Sequence, residues 1–69
     1  MTKTVQINGA AEQVTATTLE ELLRARELPL QGRGIAVAVN RTVVRKEDWP
    51  TTPLAEGDRI EIIRPIVGG

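Results

Sequence analysis

The chain has 69 residues, with nine basic and nine acidic side chains and a formal net charge of zero at pH 7. That length holds one domain and leaves no room for a deep, walled active site, and a balanced charge gives no electrostatic footprint for nucleic acid or an anionic membrane. The chain has no cysteine and no histidine, which excludes disulfides, thiolate metal sites and the commonest general base.

Met1 to Gln6 is polar and runs straight into strand-like sequence, so no signal peptide is expected. No apolar run approaches transmembrane length, and a cytoplasmic protein is the expectation. In KTVQING, Val5 and Ile7 point one way and Thr4 and Gln6 the other, and Asn8-Gly9 is a strong hairpin turn signal. EQVTA is the returning strand, with Val14 inward. The period then changes. Leu19, Leu22 and Leu23 fall at i, i+3 and i+4, one face of a helix. Thr17 with Glu20, or Thr18 with Glu21, has the spacing of a capping box. Leu28-Pro29 stops the helix, because the residue before proline avoids the helical region. About ten residues, roughly 15 Å, are expected in it. Such a helix is marginal alone and has to pack its leucine face on a sheet.

LQGRG reads as a loop. IAVAVN is the clearest strand, with Ile35, Val37 and Val39 on one face and only Ala36 and Ala38 on the other. Asn40-Arg41 turns the chain into the short strand TVV. RKEDWPTTPL reads as irregular, with one helical turn expected before Pro50. EGD is a turn, and RIEII is the last strand, with Ile60 and Ile62 inward and Ile63 outward. The order β-β-α-β-β-β predicts an α+β domain: one mixed sheet of four to five strands, one helix across one face, and the last strand beside the first in the middle. Trp49, the only aromatic residue, is expected to close the edge of the core. A lone ring makes no stacking platform for single-stranded nucleic acid.

The sequence closes on RPIVGG. Glycine adds nothing to a core and costs the most entropy to order. At an average usage of about 7%, two glycines at a chosen place arise by chance about 0.5% of the time. A functional tail is the alternative to accident or truncation. Gly69 has no side chain to block reagents approaching its carbonyl carbon, and Gly68 takes positive φ at little cost. Pro65 fixes one φ and donates no amide proton.

A small helix-on-sheet domain in this order, ending in a diglycine, resembles the β-grasp or ubiquitin-like fold. AVAVNRTVV, the tryptophan of KEDW, and LAEGDRIEIIRPIVGG resemble the thiamine-biosynthesis sulfur carriers, the ThiS family. The resemblance covers essentially the whole chain. It is most specific in the closing block, since the N-terminal hairpin and helix are generic to the fold. It implies a domain over residues 1–64 and a flexible tail over 65–69. It also implies a protein co-substrate rather than an enzyme. A ThiF-like adenylating enzyme uses ATP and magnesium to adenylate the carboxylate of Gly69. A sulfur donor protein supplies sulfur to make a thiocarboxylate, and a ThiG-like thiazole synthase receives it. No cofactor, metal, nucleic acid or membrane is expected to bind this chain.

On the same resemblance, Ile63 and the Ala36–Ala38 face dock the activating enzyme. Ile66 and Val67 read either as strand residues packed on the sheet or as anchors for the tail in a partner's channel, and anchors are the expectation. Arg64 is the basic residue most suited to pair with a partner's acidic group. The other charges, Arg41, Arg45 and Arg59 among Glu47, Glu56, Asp58 and Glu61, read as a solvated surface. Asp58 and Glu61 do not read as an acid/base pair, since a chain this small does not bury both. Three rival readings share parts of the pattern: a MoaD-like small subunit of molybdopterin synthase, a ubiquitin-like modifier joined to lysines, and a β-grasp interaction module with an inert tail. Against the first stand the brevity of the chain and its lack of Phe and Tyr.

Overall fold

The computed structural model describes residues 1–26 and 35–63. Strands β1 (Lys3–Ile7) and β2 (Ala10–Val14) precede helix α1 (Leu19–Ala25). Strands β3 (Ala36–Val39) and β4 (Thr42–Val44) follow, then a 3-10 helix over Lys46–Thr51 and strand β5 (Arg59–Ile63). The sheet order is β2-β1-β5-β3-β4. The last strand thus lies in the middle, parallel to β1 and antiparallel to β3, as the sequence predicts.

The first hairpin turns on Asn8 (φ 51°) and Gly9 (φ 87°), the pair of positive φ values that a two-residue turn between twisted strands requires. The second turns on Asn40 (φ 51°) and Arg41 (φ 71°). Asn tolerates this region; arginine is uncommon there.

The leucine face makes the helix. Leu19, Leu22 and Leu23 are buried against Val5, Ile7, Val37, Trp49, Leu54 and Ile60. Each fully buried side chain of this size stabilises by about 1.5–3 kcal/mol relative to exposure, more than seven residues gain from propensity alone. The described helix is shorter than the expected ten residues. It reaches Ala25, and Arg26 closes it with its N–H on the Leu22 carbonyl at 3.2 Å. The expected stop at Leu28-Pro29 and the loop 30–34 lie outside the described residues.

Of the two possible capping boxes, the structure uses Thr18 with Glu21. Thr18 Oγ1 accepts the Glu21 N–H at 3.2 Å. The carboxylate of Glu21 reaches back to accept the Thr17 N–H at 3.0 Å and the Thr17 hydroxyl at 3.1 Å. These bonds, the backbone one foremost, hold the Glu21 carboxyl below the usual glutamate range; desolvation partly opposes them and the charge of Lys3 adds to them. A folded-state pKa below the unfolded one contributes stability that is present above the unfolded value and is lost as pH falls through the folded value. Glu21→Gln is therefore expected to lower the urea midpoint at neutral pH, with the gap to the parent chain closing as pH drops below the ordinary glutamate range. A gap independent of pH would assign the effect to packing.

The segment expected to carry one helical turn before Pro50 carries a 3-10 helix that runs through it to Thr51. Proline withdraws a single donor from so short a helix. The hydroxyls of Thr51 and Thr52 both donate to the Asp48 carbonyl, at 3.2 and 2.6 Å, and so hold the turn together. The helix delivers Trp49, 3% exposed, into the core, and its indole N–H donates to the Val44 carbonyl at 3.1 Å. Trp49 thus closes the core below the short strand β4, as expected.

Candidate functional site

Among the described residues the helix covers one face of the sheet and leaves the other open. Cross-strand partners share a face, so the register assigns the open side. Ile63 pairs with Ala36, Ala38 pairs with Glu61, and Val43 pairs with Ala38. Ile63 is 58% exposed and Val43 71%, the largest exposed aliphatic side chains on the described strands. Ala36 between them is exposed and Ala38 half-buried. Together Ile63, Ala36, Ala38 and Val43 make an apolar strip across β5, β3 and β4. Beyond Ile63 on β5 the strip gives way to Glu61 and Arg59, with Gln6 opposite Arg59 on β1.

Ile63, Ala36 and Ala38, all singled out from the sequence, are therefore neighbours on one surface. Val43 was not singled out. The signal for it was the adjacency of Val43 and Val44 in a three-residue strand, where only one of two neighbours can face the core. Arg64, Pro65, Ile66, Val67, Gly68 and Gly69 lie outside the described residues. The last described position, Ile63, ends the central strand and belongs to the apolar strip.

Among the described residues the charged groups carry no catalytic arrangement. Asp58 accepts from the Ala55 N–H at 2.8 Å and from Asn40 Nδ2 at 3.0 Å, so its carboxylate serves the turn into β5. Glu61 faces away from the core on the open side. Arg26 pairs with Glu12 at 2.9 Å, joining the end of α1 to β2, and Arg45 with Glu47 at 3.5 Å. Exposed pairs of this kind add little to stability. Among the described residues no group of three acidic side chains gathers to hold a metal ion, and no helix is long and apolar enough to cross a membrane.

A five-stranded mixed sheet with the last strand central and one helix across a single face is the β-grasp architecture of ubiquitin-like proteins. The crystal structure of a thiamine biosynthesis protein (ThiS) from Geobacter metallireducens shares it, with a TM-score of 0.78 and 26% identity over 96% of this chain and 99% of that one. The solution structure of a thiamine biosynthesis protein from the same organism gives a TM-score of 0.76 at 26% identity, over 96% of this chain and 87% of that one. The sulfur carrier protein ThiS of Thermus thermophilus is 31% identical over 65 residues, which span 94% of this chain and 98% of the relative. The sequence model of the ThiS family matches residues 5–69. The chain belongs to the ThiS family of sulfur carriers, which serves thiamine biosynthesis.

Proposed function

We propose that the chain carries its sulfur as a thiocarboxylate on Gly69. The observation behind this reading is that the family match runs through Gly68-Gly69. A carboxylate is a poor acyl donor. A ThiF-like partner makes it reactive: a carboxylate oxygen attacks the α-phosphorus of ATP, pyrophosphate leaves, and a mixed anhydride forms. A sulfur nucleophile at the sulfide level, furnished by a sulfur donor protein, then adds to the carbonyl carbon. AMP departs with the bonding electron pair, so the exchange needs no oxidant or reductant. Thiazole synthase, ThiG-like, takes up the sulfur. ATP and magnesium belong to the activating partner, and the chain itself holds neither. Residues 65–69 act as the tail, with Ile66 and Val67 as its anchors in a partner's channel, and the chemistry takes place in the cytoplasm.

The test is intact mass after incubation with a candidate adenylating enzyme, ATP and a sulfide source. A gain equal to sulfur replacing one oxygen, mapped to Gly69, supports the reading. No gain, where a known carrier is converted under the same conditions, overturns it.

The apolar strip of Ile63, Ala36, Ala38 and Val43 is the docking surface for the activating partner in this proposal, with Arg64 at its edge as a charge contact. Binding energy concentrates in a few central side chains of an interface. Ile63→Asp and Val43→Asp are each expected to weaken binding to the adenylating enzyme by about tenfold or more, read by titration calorimetry. Exposed positions of this kind change stability by only about 0.5 kcal/mol, so the melting temperature is expected to hold. Unchanged affinity in both variants would move the interface elsewhere.

A further inference from the structure

Strand β1 ends too early to serve the whole of β5. Gln6 and Ile7 pair with Arg59 and Ile60 in parallel register, and the Asn8 N–H donates to the Ile60 carbonyl at 2.9 Å. The next rung of that ladder needs a carbonyl oxygen for the Ile62 N–H and an N–H for the Ile62 carbonyl. The backbone has none to give, because the chain has already turned back at Asn8 and Gly9. The Asn8 side chain supplies both. Its Oδ1 accepts from the Ile62 N–H at 2.8 Å, and its Nδ2 donates to the Ile62 carbonyl at 3.3 Å. A primary amide is the side-chain group with an acceptor and a donor at peptide spacing, and asparagine is also among the residues that tolerate φ 51° at the turn.

We propose that Asn8 is a positioning residue for the tail. Its amide stands in for the missing end of β1 and fixes the register in which β5 hands the chain on to Arg64. The assignment of roles rests on the carrier reading above. The opposite end of β5 has a matching bracket that provides an internal control. Asn40, also at φ 51°, accepts the Arg59 N–H on Oδ1 at 3.0 Å, where β5 begins. Replacing either asparagine by glycine keeps the turn conformation and removes the bracket, but only Asn8 lies at the exit.

The experiment compares Asn8→Gly, Asn8→Asp and Asn40→Gly in the full chain, by amide exchange and by steady-state adenylation with the activating enzyme. Asn8→Asp keeps the acceptor and sets a second carboxylate oxygen against the Ile62 carbonyl. Asn8→Gly removes that acceptor and is expected to speed exchange of the Ile62 amide by about tenfold relative to Val5, whereas Asn40→Gly is expected to leave it alone. Both Asn8 variants are expected to lower kcat for adenylation by about tenfold, since small misplacements of a reacting group carry large rate costs. KM should change little, because the docking strip is untouched. Asn40→Gly should keep kcat near the parent value at similar loss of stability. Equal kcat losses at the two ends, or Ile62 exchange unmoved in Asn8→Gly, would overturn the proposal. If the parent chain is never adenylated, the carrier reading falls, and the Ile62 exchange contrast decides the bracket by itself.

Discussion

A single alanine appended after Gly69 is expected to abolish thiocarboxylate formation and to leave folding untouched. The added residue moves the terminal carboxylate by about 3.3–3.6 Å along an extended chain. It also turns the Gly69 carbonyl into an amide, which an adenylating enzyme does not activate. Displacements of about 1 Å already cost a reaction roughly a hundredfold, so conversion should drop below detection in an intact-mass assay. Gly69→Ala keeps the reach and adds one methyl beside the reacting carbon. It should slow conversion, less severely than the extension does. Neither change replaces a residue of the described core, whose buried members run from Val5 to Ile60 with Ile62 packed against them. Both proteins should therefore melt with the parent, within about 0.5 kcal/mol. An extended chain that still gains sulfur would place the acceptor on another group. An extension that changes no interaction at all would favour a β-grasp module with an inert tail.

How much of this was legible in the sequence depended on the range of the interactions. The period-2 strands, the period-3.6 leucines and the Asn8-Gly9 turn are set by neighbours within a few residues, and all three appear where the pattern puts them. The central place of β5 was read from the order of the elements, and β5 does pair with β1 and β3 and not with β4, the strand before it in the chain. What stayed hidden was decided across the fold. The burial of Leu54 depends on Leu54 N–H reaching the Thr17 carbonyl at 3.0 Å, which stitches the loop after the 3-10 helix to the start of α1. The run of that 3-10 helix through Pro50 depends on two threonine hydroxyls sharing one carbonyl. Asn8 read as a turn residue, and its second role shows only when Ile62 is brought beside it, 54 positions along the chain. Of the candidate site, alternation put Ile63 and the alanines on the outward face, and the family resemblance gave that face its docking role. Val43 joined them only through its register opposite Ala38.

Trp49→Ala is expected to be the most damaging single change in the folded domain. Truncating a buried tryptophan costs about 3–5 kcal/mol, whereas a chain of 69 residues at roughly 0.05–0.15 kcal/mol per residue has about 3–10 kcal/mol in all. The cavity would open in a core that holds nine buried hydrophobic residues among the described ones. At about 4–8 °C per kcal/mol in a domain of this size, the melting temperature should fall by at least about 12 °C, or the cooperative transition should vanish from circular dichroism. Trp49→Phe separates packing from the hydrogen bond. It keeps an aromatic ring in place and removes the N–H that the Val44 carbonyl accepts, a loss of about 1 kcal/mol. That bond ties the end of edge strand β4, and Val43 is the residue just before it. If the apolar strip docks the activating enzyme, Trp49→Phe should weaken binding modestly while the protein stays folded, because the strand presenting Val43 loses one of its anchors. Binding unchanged in Trp49→Phe, together with a stability loss of the expected size, would confine the tryptophan to the core and leave Ile63 as the dominant contact of the strip.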